Sequence, residues 1–328
     1  MEQDIEKTQN YILLADNTRL QECIAFLLES PILAVDTETT GLDPLSSRLR
    51  LVQVAVPDKP AVIFDLDRLQ NGGVSSLKEL LGGSSIKVFQ NAKYDLKFLT
   101  RAGIHVKGQI FDTMIAARLL KTTGGPPGYG LDDLAKHYLN ADLPKDQQAS
   151  DWSGDLTDRQ LEYAAKDAAI LLDLREAMLP ELKYGKLIEI AKIEYDCIPA
   201  VAEIELNGML LDRKKWEHLS IELEETRSRT AAFLKSQLGG SIVQIGFFED
   251  EELGINLDSQ QQVLKALKDK GIQINNTSHE ELSSIAEKYP VVRSLLDYRK
   301  AAKAIQSFIN SLPKYIHPIT GRKHPDYH

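Results

Sequence analysis

The chain is organised around the stretch Val35-Asp36-Thr37-Glu38-Thr39-Thr40-Gly41. An apolar run, residues 32–34, precedes it, so the pattern predicts a buried β-strand that ends in acid. Because strand side chains alternate between faces, Asp36 and Glu38 point the same way. Two such carboxylates repel each other and are costly to desolvate, and a hard divalent cation relieves both costs. The stretch therefore predicts half of a metal site; the alternative is a strand end where two acids meet solvent.

The length of 328 residues favours two domains, and the composition is that of an ordinary globular protein. A net charge of -9 argues against coating nucleic acid by bulk charge, although it leaves local binding open. Cys23 and Cys197 have no metal-ligand spacing, so we expect core thiols in a reducing compartment. An acidic N-terminus and the lack of long apolar runs predict a cytoplasmic protein with no membrane partner.

The first half of the chain alternates strand and helix patterns. The strand that ends in Asp36 and Glu38 and two further strands at 50–56 and 61–65 predict an antiparallel meander. Strands at 86–89 and near 108–110 alternate with helices, which predicts a mixed sheet with helices packed on it. Further helices are predicted at 18–29, 75–81 (a short one), 90–99, from 111, at 131–139 and from 157. Loops are predicted at 124–130 and at 141–156, where Trp152 is expected to be exposed.

From about residue 190 helical patterns dominate. They predict helices at 190–206, 214–237, 258–270, 279–287 and 290–311, with loops near 239–241 and 275–278. We therefore expect two domains, 1–190 as an α/β domain and 191–328 as a mostly helical region.

Four carboxylates are expected at one edge of the predicted sheet: Asp36, Glu38, Asp95 and Asp167. Four carboxylates suffice to hold two divalent metals a few ångströms apart, as two-metal phosphoryl chemistry requires. Tyr163, one helical turn before Asp167, is placed to orient an attacking water. Each member has an alternative when it is taken alone. Asp95 could be a surface charge between two lysines, and Asp167 a solvated acid beside a half-buried tyrosine.

Three segments together resemble the Exo I, Exo II and Exo III motifs of the DEDDy 3′–5′ exonucleases. They read Val35-Asp-Thr-Glu-Thr-Thr-Gly-Leu42, Asn91-Ala-Lys-Tyr-Asp95 and Tyr163-Ala-Ala-Lys-Asp167. The resemblance covers residues from about 11 to 188 and implies an RNase H-like mixed β-sheet flanked by helices.

The resemblance also implies roles for individual residues. Asp36, Glu38 and Asp167 ligate one Mg²⁺ or Mn²⁺, Asp36 bridges to a second, and Asp95 acts largely through water. Residues implied near the substrate 3′ end are Thr39, Leu42, Gln90, Asn91 and Tyr94. Leu42 is expected to wedge between the last two bases, whereas Gln90 and Asn91 could equally cap the following helix. Asp112 is interpreted as a helix N-cap or a supporting group.

Within that group the chain resembles the proofreading domain of family A DNA polymerases, of the bacterial DNA polymerase I type. The second half carries this resemblance in residues 204–212, 255–262, 296–303 and 318–324, which look like the start of the polymerase segment, its thumb and its entry to the palm. Arg299 and Lys303 lie one turn apart and are expected to contact duplex DNA; the alternative is a solvated basic face. The resemblance ends at His328 before the palm and fingers, so we expect no polymerase activity, whether the chain is a fragment or a natural exonuclease with a thumb-like region.

The sequence therefore predicts metal-dependent 3′–5′ hydrolysis of single-stranded or frayed DNA to nucleoside 5′-monophosphates, as a proofreading module. The expected partners are a single-stranded DNA 3′ end, duplex DNA at the thumb-like region and, as an open question, a separate polymerase chain. Two alternatives stay open: an RNase D-like RNA 3′-processing exonuclease, and a non-catalytic DNA-binding or scaffold module of a split polymerase.

Overall fold

Two compact units make up the part of the chain that the computed structural model describes, residues 10–121, 124–143, 150–239 and 254–327. One unit runs to Gly208 and includes the described residues from Pro325 onward, and the other spans Met209–His324. The boundary expected near residue 190 falls beside the start of a helix, Ile188–Asn207, that belongs to the first unit. The function assigned to each predicted domain stays a prediction.

A six-stranded mixed sheet forms the centre of the first unit, in the order β1-β4-β3-β2-β5-β6. Its strands are β1 (Tyr11–Leu14), β2 (Ile32–Thr39), β3 (Leu49–Ala55), β4 (Ala61–Asp65), β5 (Ile86–Phe89) and β6 (Ile110–Asp112). Strands β2, β3 and β4 pair antiparallel, which confirms the predicted meander, and β1, β5 and β6 add in parallel. The sequence patterns missed β1, whose four residues are too few to show a period.

Helices flank this sheet, which confirms the predicted α/β class. They are α1 (Leu20–Glu29), α2 (Leu66–Leu81), α3 (Ala92–Arg101), α4 (Thr113–Leu120), α5 (Leu131–Leu139), α6 (Asp158–Tyr184) and α7 (Ile188–Asn207). The short helix predicted at 75–81 was wrong in length, because the Asp65 carboxylate accepts a hydrogen bond from the Asp67 backbone N–H (3.1 Å) and starts α2 there. The helix predicted from residue 111 begins at Thr113, since β6 extends to Asp112.

Two burial predictions were wrong. Trp152 is buried rather than exposed, because the loop before α6 is held to the sheet by Arg50, which donates to the backbone carbonyl of Gly154 (3.0 Å). Cys197 is exposed, since the buried positions of α7 share one face of the helix and Cys197 does not lie on that face. Cys23 is a buried thiol in α1, as predicted.

The second unit is mostly helical, as predicted. It contains α8 (Arg213–Leu238), α9 (Gln260–Asp269), α10 (His279–Ile285) and α11 (Pro290–Ala304), followed by a π-helical turn (Ile305–Ile309), a short 3₁₀ helix (Leu312–Tyr315) and the antiparallel pair β7 (Met209–Leu210) and β8 (Arg322–Lys323). Its core is separate from that of the first unit and includes Leu234, Val263, Leu267, Leu282 and Leu295.

Several predicted features lie partly outside the described residues. These are the acidic N-terminal residues 1–4, residues 144–149 of the loop predicted at 141–156, and Gly240 and Ser241 of the loop near 239–241. Among the helices that are described, none combines the length and the apolar character needed to cross a membrane.

Candidate active site

The acids of the predicted site come from three elements of the first unit. Strand β2 carries Asp36 and Glu38 near its end, α3 carries Asp95 in its first turn, and α6 carries Asp167. The ladder between β2 and β3 is irregular between Glu38 and Thr39, so regular pairing stops just after the two acids. The four carboxylates are close enough to interact electrostatically, because the charges of Glu38, Asp95 and Asp167 all raise the pKa of Asp36.

Burial is the largest influence on these acids. It raises the pKa of Asp36 and of Glu38 well above their ordinary values, with the neighbouring carboxylates adding to the effect. It raises the pKa of Asp95 to about 8 and that of Asp167 to about 6. Asp36 and Glu38 are half-buried, and Asp95 and Asp167 are buried, so the alternatives of a surface Asp95 and a solvated Asp167 are wrong. The cluster is therefore short of positive charge.

Two hydroxyl groups orient two of the four carboxylates. The buried Thr37 Oγ1 donates to Asp95 Oδ1 across 2.6 Å. The Tyr163 hydroxyl donates to the Asp167 carboxylate, one turn along the same helix. Burial and the adjacent charges raise the pKa of Tyr163, so this hydroxyl stays protonated and keeps its role as a donor.

The donor set suits a hard divalent cation, because four carboxylates offer oxygen ligands and gain a counter-charge. In the side-chain arrangement of the described residues, however, no three histidine, cysteine, aspartate or glutamate groups are placed so that they could hold a metal ion as they stand. The chemistry of the four acids therefore fits a divalent metal, although the described side-chain arrangement does not form a ligand set around one.

Two of the residues expected near a substrate 3′ end, Thr39 and Tyr94, lie beside this cluster, since the pKa of Tyr94 is raised by burial and by the charges of its acids. Thr39 Oγ1 and the Tyr94 hydroxyl are 2.8 Å apart, which ties the end of β2 to α3. Thr39 Oγ1 also donates to the Gly41 carbonyl (2.8 Å). Leu42 follows in the sequence, and 84 % of its surface is exposed, whereas leucine is among the residues most often buried in folded proteins. An apolar side chain is thus presented to solvent four residues after Glu38 in the sequence.

Gln90 and Asn91 differ in the hydrogen bonds that their side chains make within the chain. The Gln90 carboxamide donates to the Tyr129 carbonyl (2.7 Å) and accepts from the Thr113 hydroxyl, so both of its polar atoms act within the chain. Asn91 adopts the left-handed conformation (φ 60°) at the N-cap of α3, without a side-chain capping bond. The capping role considered for its side chain is therefore wrong, whereas a substrate role for Asn91 stays a prediction.

Asp112 is a helix cap, as predicted. Its carboxylate accepts from the backbone N–H of Ile115 in α4 (3.0 Å) and from that of Ala92 in α3 (2.6 Å). One buried acid therefore fixes the first turns of two helices, including the one that carries Asp95.

Sequence patterns missed Glu205, a buried acid on α7. Its two carboxylate oxygens accept from Lys93 and Lys97 of α3, each at 2.8 Å, and one also accepts from the Tyr327 backbone N–H (2.7 Å). Lys93 and Lys97 flank Asp95 in sequence, yet their charges are paired on the α7 side of α3. No local signal in the sequence links positions so far apart.

A groove of about 580 Å³ adjoins the site in the first unit. Its walls include Asn91 and Tyr94 from α3, Ile115 from α4 and Ile198 from α7, but none of the four clustered carboxylates. The carboxylates are therefore not part of the wall of this groove.

The two cations expected to contact duplex DNA lie on α11 of the second unit. The half-buried Arg299 guanidinium donates to the Thr277 carbonyl (2.6 Å) and to Thr277 Oγ1 (3.2 Å), so it joins α11 to the loop before α10. Lys303 is exposed. A role in DNA contact stays a prediction for both residues, and Arg299 already has a structural one.

The sequence of the chain is similar to those of known proteins. A family model described as 3′–5′ exonuclease matches residues 11–183, which is more than half of the chain. The chain is similar to DNA polymerase I of Chloroflexus aurantiacus (27 % identical; 96 % of this chain, 35 % of the relative) and of Aquifex aeolicus (30 % identical; 94 % and 53 %). It is also similar to ribonuclease D of Sphingobium indicum, at 32 % identity over 53 % of this chain and 45 % of the relative. The chain thus spans about a third to a half of the length of these relatives.

The structure of the chain is also similar to solved structures. The POL domain of Pol1 from M. smegmatis, in complex with DNA primer-template and dNTP, matches 94 % of this chain and 50 % of its own with a TM-score of 0.66; at 21 % identity this likeness concerns the fold alone. Brucella melitensis NrnC bound to pGG matches 60 % of this chain and 93 % of its own, with a TM-score of 0.51 and 27 % identity. Since the family model covers more than half of its length, the chain belongs to the 3′–5′ exonuclease family.

Proposed function

We propose that the chain removes nucleotides one at a time from the 3′ end of single-stranded or frayed DNA and releases nucleoside 5′-monophosphates. The observation that carries the proposal is the cluster of Asp36, Glu38, Asp95 and Asp167, whose mutual repulsion and burial call for bound positive charge. The phosphate backbone of DNA is itself negative, so it can approach this acidic cluster only when cations are present there.

We assign the cations to particular residues. Asp36, Glu38 and Asp167 would hold one Mg²⁺ or Mn²⁺, and Asp36 would also reach a second, with Asp95 acting through water. When bound, the pair supplies an activated water and stabilises the leaving oxygen. Thr37 holds the Asp95 carboxylate in place by its 2.6 Å hydrogen bond. Since the described side chains do not form a ligand set as they stand, cations and substrate would complete the site together.

Tyr163 is assigned to orienting the attacking water. Its hydroxyl is held by Asp167 and remains protonated at neutral pH, so it offers a fixed polar contact beside the cluster. Leu42 is assigned to the terminal base, because its side chain is exposed and it directly follows Gly41, whose carbonyl accepts from Thr39. An apolar side chain can insert between two bases without reading their identity.

The second unit is assigned to duplex DNA through Lys303, with Arg299 contributing as far as its bonds to Thr277 allow. The DNA polymerase I relatives support this assignment, since each similarity extends beyond the exonuclease family match into the second unit. A separate polymerase chain as a further partner belongs to the same proposal.

The test uses the purified chain with DNA strands labelled at either the 5′ or the 3′ end. With Mg²⁺ or Mn²⁺, we expect the 5′ label to give a ladder that shortens from the 3′ end and the 3′ label to appear at once as a mononucleotide. A chelator and the Asp36→Asn variant should each abolish both products. Metal-dependent products that begin at the 5′ end, or wild-type activity in Asp36→Asn, would contradict the proposal.

An RNA substrate is the second candidate, because the ribonuclease D of Sphingobium indicum is 32 % identical over about half of this chain. The same assay with DNA and RNA strands of one sequence separates the two. Faster degradation of RNA would favour RNA processing. If neither strand is degraded although cations bind, the chain acts instead as a DNA-binding or scaffold module.

A further inference from the structure

Gln53 is a buried polar residue for which the described structure provides no hydrogen-bond partner. It lies in the middle of β3 with none of its surface exposed. Both carboxamide atoms, Oε1 and Nε2, are buried and unbonded within the described residues. Buried polar side chains nearly always have partners, because an unsatisfied amide loses its hydration and gains nothing in return. The presence of this side chain in the core therefore needs an explanation.

The sheet register places Gln53 directly beside the candidate metal site. Gln53 is the cross-strand partner of Asp36 in the antiparallel pair of β3 and β2. Directly opposed residues of such a pair project to the same face, with Cβ atoms about 4.5–5.5 Å apart. The next pair on that face, Glu38 with Leu51, contains the second acid of the site. A carboxamide with two unused polar atoms thus neighbours the residue assigned to both cations.

Other polar groups near the cluster already have partners in the chain. Thr37 bonds Asp95, Tyr163 bonds Asp167, and Thr39 bonds Tyr94. Among the described residues, no side-chain donor to the Asp36 carboxylate is found, and the hydrogen bond that acts on its pKa comes from the Thr37 backbone. Within the part of the chain that the structure describes, Asp36 and Gln53 therefore each lack the side-chain hydrogen bond that their neighbours have.

We propose that Gln53 is a positioning residue for Asp36. When cations occupy the site, the Nε2 amide of Gln53 donates to the Asp36 carboxylate and fixes its orientation. A carboxylate that ligates a metal is commonly held in this way by a second group, and losing that group weakens metal binding. Glutamine suits the task because it donates without carrying a charge, whereas a lysine would compete with the cation. The inference rests on the proposed function.

The proposal predicts opposite effects of one substitution on stability and on metal affinity. Gln53→Met keeps the length of the side chain but removes both unsatisfied polar atoms, so the metal-free variant should be at least as stable as the wild type. Its affinity for Mn²⁺, measured by calorimetric titration, should fall about 10- to 100-fold. Mg²⁺-dependent kcat should fall with it, because Asp36 is no longer held.

Gln160→Met is the matched control. Gln160 is also buried, but its carboxamide accepts from the Thr157 backbone N–H (3.0 Å) and donates to the Asp151 carbonyl (3.1 Å). Removing these bonds should lower the melting temperature and leave Mn²⁺ affinity unchanged. A purely structural role for Gln53 predicts the same pattern for Gln53→Met and would overturn the proposal.

A measurement on the wild type keeps the proposal falsifiable should Gln53→Met not fold. The side-chain amide resonances of Gln53 should shift on titration with Mg²⁺, and those of Gln160 should not. Unchanged Gln53 resonances at saturating Mg²⁺ would overturn the inference while leaving the proposed function intact. A wild-type chain that binds no divalent cation would instead overturn the proposed function, and the inference with it.

Discussion

At the scale of single residues, the four clustered acids decide the chemistry of the chain. The sequence motifs predicted that these acids cluster, and in the structure β2, α3 and α6 bring them together. Burial raises the pKa of each. A site of this kind is unfavourable when it is empty, because like charges are held close in a medium that solvates them poorly. Function is thus opposed to stability here, and both can be measured.

The first prediction concerns Asp167→Asn. Removing one ligand carboxylate should lower the exonuclease kcat by about two to three orders of magnitude, as is typical when one charge-stabilising group is lost. The metal-free variant should melt at or above the wild-type temperature, since a repulsive charge has gone. The control is Asp173→Asn on the exposed side of the same helix, which should change neither quantity. A variant that is active, or inactive only because it is unfolded, would contradict the assignment.

The second prediction concerns pH and Asp95. Its pKa rises from an ordinary 3.8 to about 8 on folding, so between these values the folded state holds a proton that the unfolded state has lost. The contribution to stability is therefore present below about pH 4 and lost as pH rises through about 8. Relative to Asp95→Asn, the metal-free wild type should become steadily less stable across this range.

Chemical denaturation at several pH values, compared between the wild type and Asp95→Asn, measures this difference. Saturating Mg²⁺ should reduce it, because the cation stabilises the ionised carboxylate. A stability difference that is independent of pH would show that burial of Asp95 does not disfavour its ionised form.

The third prediction concerns Leu42. With 84 % of its surface exposed, Leu42→Ala should leave the melting temperature unchanged. If the side chain contacts the terminal base, the variant should have a lower kcat/KM on DNA, by about 10-fold for the loss of one apolar contact. Leu28→Ala on α1, another partly exposed leucine, is the control and should leave activity unchanged. Equal activity of the two variants would remove Leu42 from the site.

At the scale of elements, local patterns predicted what local geometry determines. The alternation in β2 and the one-turn spacing of Tyr163 and Asp167 both follow from a few adjacent residues. The first half of α2 was missed because Gly72 and Gly73 disfavour a helix, although the cap at Asp65 overrides them. Long-range contacts were missed as well, and the pairing of Glu205 with Lys93 shows why: a local period carries no information about a partner 112 positions away.

The fourth prediction concerns that contact between α3 and α7. Burial alone would raise the pKa of Glu205, but hydrogen bonds from Lys93, Lys97 and the Tyr327 backbone outweigh it and hold the pKa below its ordinary value. Glu205→Gln removes the counter-charge that Lys93 and Lys97 share, although Lys93 stays paired with Asp326. It should destabilise the first unit by about 3–5 kcal/mol, the usual cost of breaking a buried ion pair.

Denaturant titration of the first unit measures this loss. Because the pKa of Glu205 is lowered on folding, its contribution is present above the unfolded-state value and disappears as pH falls through the folded one. The difference between wild type and Glu205→Gln should therefore shrink in acid. Glu203→Gln, an exposed position on the same helix, is the control. A stability difference that persists unchanged at low pH would mean that the ion pairs contribute nothing.

At the scale of the whole molecule, the described residues form two hydrophobic cores, one in each unit. Only the first unit contains the four acids, so a cation that binds them should stabilise that unit alone. Each unit also contains one of the two tryptophans, with Trp152 buried in the first and Trp216 half-buried in α8 of the second. A Trp216→Phe variant therefore reports on the first unit through fluorescence, while calorimetry records both.

We expect two separable unfolding transitions, since each unit has a core of its own. Saturating Mg²⁺ should raise the midpoint temperature of the transition that Trp152 reports. The midpoint of the other transition should not change. Leu295→Ala, which truncates a fully buried side chain of the second core, should do the reverse and destabilise the second unit by about 2–5 kcal/mol. A single transition that both perturbations shift together would mean that the units unfold as one, and that metal binding in the first is felt throughout the chain.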